Sequence, residues 1–226
     1  MSNKQVNLDY VADPKIMYPK MFNLYKRDSK THKLITDTYA KEEFLIPHKW
    51  HVTEKIDGTN VRIFYDGTQE PLGYIEFRGR NDNSNMPKKL HEYLKDHFTV
   101  YRLNPIFGDA KVVLFGEGYG AGIQKGGLYR ADQRFILFDI KIGIWWLEYE
   151  NVADIAKSLD IPVVPSFGEM NLTEIIELVK DGFQISITDN IHNTVCAEGI
   201  VATSVPLLLF RNTYPLKFKL KVRDLI

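Results

Sequence analysis

Lys55 stands in the run Glu54-Lys55-Ile56-Asp57-Gly58-Thr59-Asn60. The apolar-rich stretches on either side, His51 to Glu54 and Asn60 to Tyr65, read as strands with Asp57-Gly58 as the turn between them. A lysine at such a corner projects into a cleft and can serve as a nucleophile at phosphorus. It must first lose a proton. A free lysine titrates near ~10.4, and desolvation or neighbouring cations favour its neutral form. Cations are at hand near the end of the chain. In Leu216-Lys217-Phe218-Lys219-Leu220-Lys221, alternation puts the three lysines on one face and the three apolar residues on the other. Alternation also places Arg78 and Arg80 on a common face. A cluster of this kind would neutralise phosphates as well as depress a lysine. Each segment also has a plainer reading, as a hairpin with a solvated lysine or an amphipathic edge strand.

Carboxylates fit beside phosphates once a divalent cation is present, because Mg²⁺ prefers oxygen ligands and keeps several waters. Glu117 and Glu198 each stand before a glycine at a strand-like edge; alone, each reads equally as a solvated carboxylate. Asn60 could donate its amide to a phosphate or ribose, and otherwise is a turn residue. In Phe135-Ile136-Leu137-Phe138-Asp139-Ile140, Ile136 and Phe138 share a face, and either Phe135 or Phe138 could belong to the core. The glycines after Glu117 match neither the P-loop nor the dinucleotide fingerprint and read as tight turns. Six scattered histidines offer His48 with His51 and His91 with His97 as pairs, but no third and fourth ligand follows for zinc.

Five segments occur in one order: Lys55 to Asn60, Phe77 to Asp82, Phe115 to Gly120, Phe135 to Ile140 and Ala197 to Val201, with Leu216 to Lys221 nearly closing the chain. In this the chain resembles the covalent nucleotidyltransferase superfamily of polynucleotide ligases and capping enzymes. The run Gly120-Ala121-Gly122-Ile123-Gln124-Lys125-Gly126 makes it most similar to the type-2 RNA ligases of bacteriophages. The resemblance spans Lys55 to Lys221. It implies an adenylation domain of two mainly antiparallel sheets with flanking helices and the nucleotide between them. It implies a reaction in three in-line transfers: ATP to a lysyl-AMP, AMP to a 5′-phosphate end, and sealing by a 3′-hydroxyl, at nicks in duplexes. Lys55, Glu198, Lys219 and Lys221 would be catalytic. ATP would be held by Lys55, Glu54, Asn60, Arg80, Glu117, Phe138, Glu198, Lys219 and Lys221, with Phe138 stacked on the adenine. Asp57, Glu117 and Glu198 would hold Mg²⁺ mainly through water, with Mn²⁺ able to substitute. Arg78 and Lys217 would contact nucleic acid. Tyr18 to Asp28 resembles a basic leading segment in some phage relatives, and is equally a surface loop. A minimal DNA ligase is the near rival, since Asp57 is typical of that branch. A non-catalytic nucleotide- or nucleic-acid-binding module is the rival from another class.

Composition bounds these readings. The 226 residues are 44% hydrophobic, ample for a packed core. Net charge is zero, 29 basic against 29 acidic residues, so global charge lends no support to a nucleic-acid partner. Locally, Lys217, Lys219, Lys221 and Arg223 face Asp224 alone after Pro215. The lone Cys196 excludes an internal disulfide and reads as a small buried residue before Glu198. The start carries no signal-like apolar run, and no stretch reaches ~18 apolar residues. The expectation is a cytoplasmic monomer (host cytoplasm if viral), away from membranes, working on nicked or paired RNA-containing strands.

The elements that must position these side chains are mostly strands: Trp50–Val52, Val61–Tyr65, Tyr74–Phe77, Val112–Phe115, Phe135–Ile140, Gly199–Ala202 and Leu216–Val222. Helices are expected at Met86 to Phe98 with Ser84 or Asn85 as cap, at Val152 to Leu159, and at Leu172 to Val179. The last follows Asn171, with Glu174 placed for a capping box. Strands outnumber helices without alternating with them, which predicts an α+β fold with largely antiparallel sheets. Trp145-Trp146 reads as packing. The expectation is one nucleotidyltransferase domain over residues 1–226, with 1–48 packed on it. No C-terminal β-barrel or helical domain is expected, which leaves a minimal enzyme, an accessory protein that supplies that surface, or a truncated chain.

Overall fold

The computed structural model describes residues 17–69, 71, 73–81, 84–189, 195–210 and 213–225. The chain start and Asp82, both used above, lie outside the described residues. In chain order the strands are β1 (Phe22–Asn23), β2 (Tyr25–Arg27), β3 (Leu34–Tyr39), β4 (Lys49–Glu54), β5 (Thr59–Asp66), β6 (Tyr74–Arg78), β7 (Lys111–Gly120), β8 (Gln133–Ile142), β9 (Trp145–Trp146), β10 (Ser166–Met170), β11 (Gly199–Val205), β12 (Leu209–Phe210), β13 (Tyr214–Pro215) and β14 (Lys217–Lys221). The α-helices are α1 (Lys88–His97), α2 (Val100–Phe107), α3 (Tyr149–Ser158) and α4 (Leu172–Asp181). The fold is α+β with mainly antiparallel sheets, as the pattern of strands and helices predicts.

The chain divides into two compact units, and the second is assembled from three stretches: Pro19–Gly58, Tyr119–Asp132 and Val164–Ile226. Its sheet runs β1-β14-β11-β4-β10. All its pairings are antiparallel except β1 with β14. Strand β4 alternates cleanly: Trp50, Val52 and Glu54 face inward, Lys49, His51 and Thr53 do not. Strand β14 does the same, burying Phe218 and Leu220 and leaving Lys217, Lys219 and Lys221 on the other face. The inward residues of β4, β11 and β14 join Leu24, Phe44 and the α4 residues Ile175 and Val179 in one core. Trp50 and Phe218 meet edge to face at 4.7 Å. Helix α4 begins as expected. The Asn171 side chain accepts from the Glu174 N–H and the Glu174 carboxylate accepts from the Asn171 N–H.

The first unit comprises Met1–Tyr18, Thr59–Gly118 and Gln133–Val163. Its sheet runs β6-β5-β7-β8-β9, and α1 and α3 pack on β8. Phe135 is buried edge-on against Phe98. Gly116 lies directly under the Phe135 ring, where a Cβ would collide with it.

The structure corrects several sequence expectations. The strands flanking Asp57-Gly58 do not form a hairpin: β4 pairs with β10 and β11, while β5 pairs with β6 and β7. Hydrogen-bond partners distant in sequence outcompete the local turn. Strand β6 ends at Arg78, so the alternation argument does not carry to Arg80. Helix α1 starts at Lys88 with no side-chain cap from Ser84 or Asn85, and α3 starts earlier than expected, at Tyr149. Cys196 is exposed, and its neighbour Ala197 is the buried one. Trp146 stacks on Phe115 with 5.3 Å between centroids, whereas Trp145 is 71% exposed. Strands β1 to β3, β9, β10, β12 and β13 and helix α2 have no counterpart among the sequence expectations.

Candidate functional site

Register alone brings three of the expected residues together in the second unit. Gly199 opposes Lys221, and Ile200 opposes Glu54. Glu198, just before β11, therefore arrives between the end of β14 and the residue after β4. The Lys55 N–H donates to the Gly199 carbonyl at 2.8 Å, and the Val222 N–H donates to the Glu198 carbonyl at 3.1 Å. Gly199 has φ 151 and no room for a Cβ against the Leu220 carbonyl, so only glycine serves after Glu198.

The side chains complete the arrangement. Lys55 Nζ donates to Glu198 Oε2 at 2.6 Å, and Lys221 Nζ lies 2.5 Å from Glu198 Oε1. All three are largely withdrawn from water, at 22, 12 and 17% exposure. Burial alone would raise the Glu198 carboxyl. The Lys55 ammonium opposite it, with hydrogen bonds from Lys221 and Lys55, instead holds it below the usual carboxylate range. The result is a carboxylate bridging two amines, one of them on the x-Asp-Gly corner.

Glu54 is buried because alternation points it inward with Trp50 and Val52. Its Oε2 accepts the Ser186 N–H at 2.9 Å, and its Oε1 finds no protein partner. Burial raises this carboxyl, against the hydrogen bonds from Ser186. A carboxyl raised in the folded state contributes stability at acid pH that is lost as pH rises through its folded pKa. Glu54→Gln is therefore expected to raise the melting temperature at neutral and higher pH and to lessen its fall as pH rises above the ordinary carboxylate range. Parallel Tm–pH curves for variant and parent would show that this burial carries no such cost.

The first unit holds Asn60, Arg78, Arg80, Glu117 and Phe138, and the second holds Asp57, Lys217 and Lys219 beside the Lys55–Glu198–Lys221 group. Asn60 and Glu117 are directly opposed across β5 and β7. Asn60 Oδ1 is buried with no protein partner, a polar atom that a bound molecule could satisfy. Phe138 is half-buried while Phe135, Ile136 and Leu137 are fully buried. Of the two aromatics, then, Phe135 is the core residue and Phe138 is only partly buried. Tyr18 meets Phe138 at 5.0 Å, nearly perpendicular, and donates to Asp139 at 2.5 Å. The Arg78 guanidinium pairs with Glu76 at 2.7 Å. Arg80 is exposed, and the carbonyl of the preceding Gly79 accepts from the buried Arg62 at 2.8 Å. Lys217 and Lys219 are half-buried on the same face of β14 as Lys221. Asp57 offers its backbone N–H to Tyr129 at 3.2 Å. Sequence reasoning missed Tyr129; its only signal was an aromatic at the close of the glycine-rich run. Among the described residues, no three His, Cys, Asp or Glu side chains stand close enough to hold a bare ion.

Comparison with known proteins follows the same lines. The family model described as RNA ligase matches residues 48–219. Solved structures of an RNA ligase from Naegleria gruberi share the fold. One variant without ligand aligns with a TM-score of 0.64 at 16% identity, over 95% of this chain and 58% of that one. A variant with ATP and Mn gives 0.62 at 16% identity, over 93% and 57%. Another with AMP and Mn gives the same values. The chain thus spans less than two thirds of those proteins. Among curated proteins, none matches.

Proposed function

The chain belongs to the RNA ligase family, and from that premise we propose an ATP-dependent ligase that joins a 3′-hydroxyl to a 5′-phosphate, acting at nicks in RNA-containing duplexes. The observation that carries the reading is Glu198 held between Lys55 and Lys221 at hydrogen-bond distance. A lysine ion-paired in the ligand-free state is stored, not reactive. Release of its proton leaves an amine beside a second ammonium, able to attack a phosphate.

In the first step the Lys55 Nζ–phosphorus bond to the α-phosphate of ATP forms as the bond to the bridging oxygen breaks, and pyrophosphate leaves. In the second, an oxygen of a 5′-phosphate end displaces Lys55 from AMP. In the third, a 3′-hydroxyl attacks that 5′-phosphorus and AMP departs. Each is an in-line transfer, dominated by positioning and charge. Lys221, Lys219 and Arg80 are assigned to the ATP phosphates, Asn60 and Glu117 to the ribose and its neighbours, Phe138 and Glu54 to the adenine. A divalent cation, when bound, supplies charge neutralisation at the phosphates. Asp57, Glu117 and Glu198 are the residues assigned to hold its water. The neighbours solved with ATP, AMP and Mn support the choice of nucleotide and metal.

The test is incubation with labelled ATP, GTP or NAD and Mg²⁺ followed by denaturing electrophoresis. Label from ATP alone is expected, and no label from any nucleotide would return the chain to the non-catalytic reading. A metal titration sharpens the assignment. Asp57→Asn, Glu117→Gln and Glu198→Gln are each expected to weaken adenylylation about tenfold or more and to raise the Mg²⁺ concentration for half-maximal rate. Metal curves that superimpose on the parent's in all three variants would remove these carboxylates from the metal's water shell.

A further inference from the structure

We infer that Tyr129 is a positioning residue for the Lys55 nucleophile, and that the glycine-rich run 120–126 exists to deliver it. The inference rests on the reading of Lys55 as the nucleophile and adds a residue to it. The Lys55 corner has no strand partner across its turn, so something else must fix it. Two backbone anchors bracket it. On one side the Lys55 N–H donates to the Gly199 carbonyl at 2.8 Å. On the other the Asp57 N–H donates to the Tyr129 hydroxyl at 3.2 Å. Between them Ile56 is buried, at 3% exposure. A side chain thus does what a hairpin ladder would otherwise do.

Tyr129 is built for this task. It is 3% exposed, with its ring edge-on to Tyr119 at 5.9 Å. Its own carbonyl accepts the Asp189 N–H at 3.0 Å. The preceding run folds back on itself in successive tight turns: Ile123 N–H to Gly120 O, Gly126 N–H to Ile123 O, and Tyr129 N–H to Gly126 O, at 3.1, 2.7 and 3.0 Å. A Cβ on Gly126 would stand 2.5 Å from the Gly120 backbone. The glycine there permits the closure that brings residue 129 under the corner. Burial first, then the nearby carboxylates of Glu54, Asp57 and Glu198, push the phenol above its ordinary range, against the hydrogen bond from Asp57.

The test compares the parent with Tyr129→Phe, which keeps the ring and removes only the acceptor. Single-turnover adenylylation at saturating ATP is expected to fall about tenfold, because a small misplacement of a nucleophile is costly, while the KM for ATP stays within about twofold. Hydrogen exchange followed by NMR is expected to show the Asp57 amide protected in the parent and exchanging at least about tenfold faster in the variant. Fast exchange of that amide in the parent would overturn the inference without any variant. So would unchanged exchange in Tyr129→Phe, a rate equal to the parent's, or a loss carried wholly by KM. Should the parent form no adduct, the ligase reading fails, and the exchange measurement still decides whether Tyr129 holds the corner.

Discussion

Lys55→Ala is expected to abolish the covalent nucleotide adduct, a fall of at least about a thousandfold, since on the proposed reading the amine is a bond-forming atom and not a modulator. The variant is expected to fold. Lys221 remains 2.5 Å from Glu198, so the substitution strands no unpaired buried charge, the usual source of a large penalty. The loss should therefore be read in the labelling assay and not in the thermal transition. Lys55→Arg separates charge from nucleophilicity: it keeps a cation opposite Glu198, and it too should form no adduct. Lys217→Ala should weaken strand sealing while leaving the lysyl adduct in place. It stands at the first position of β14, four residues before the lysine that reaches Glu198. Mass mapping of the labelled chain checks the assignment directly. AMP found on Lys217, Lys219 or Lys221 would displace Lys55 from its role.

How far the sequence reveals the molecule depends on the range of the interaction involved. The capping box of α4 is written within four residues, Asn171 to Glu174, and appears as read. The alternation of β14 is local too, and so its lysine face and its apolar face are both recovered. The corner at Asp57-Gly58 reads as a hairpin because local turn chemistry favours one. The real partners of β4 are β10 and β11, more than a hundred residues away, and no short window contains them. Strands β2 and β3 are dominated by exposed residues and give no alternating signal. Helix α2 has Thr99 before it and Gly108 after it, but it carries Pro105 inside, which argues against a helix, and no side-chain cap forms.

The candidate site divides in the same manner. Residue types and order mark Lys55, Glu198 and Lys221, and register then brings them within hydrogen-bond distance. Phe138 and Phe135 stand open to exchange in the sequence, because both lie on one apolar strand. The structure separates them by burial: Phe135 packs against Phe98 in the core, while Phe138 is only partly buried. Arg78 looks equivalent to Arg80 until Glu76, two residues back on the same strand face, is seen to hold its guanidinium. Tyr129 has no motif of its own. Its part depends on a backbone N–H seventy-two residues earlier in the chain.

Sealing is expected to be far more sensitive to salt than lysine adenylylation. The whole chain is electrically neutral, so no general attraction draws it to a polyanion, and strand binding is expected to rest on local cations, with Arg78 and Lys217 the residues assigned to it. Each phosphate neutralised releases counterions, and affinity for a duplex falls by roughly one log unit per phosphate for each tenfold rise in salt. Four such contacts, raised from 50 to 200 mM salt, would cost about a hundredfold in binding. On the proposed reading ATP meets the partly desolvated Lys55, Glu198 and Lys221 side chains, where screening is weaker. The adduct should therefore survive salt that abolishes sealing. The sugar at the 3′ end gives the second arm of the measurement. That hydroxyl must be aligned for attack, and a neighbouring 2′-hydroxyl offers a donor and an acceptor that DNA lacks. Nicked duplexes with RNA or DNA on each side of the break, assayed at both salt concentrations, are expected to seal best with RNA at the 3′-hydroxyl. Equal sealing of all-DNA and RNA-ended nicks would overturn the RNA preference. Sealing that resists salt as well as adenylylation does would overturn the phosphate-borne account of strand binding.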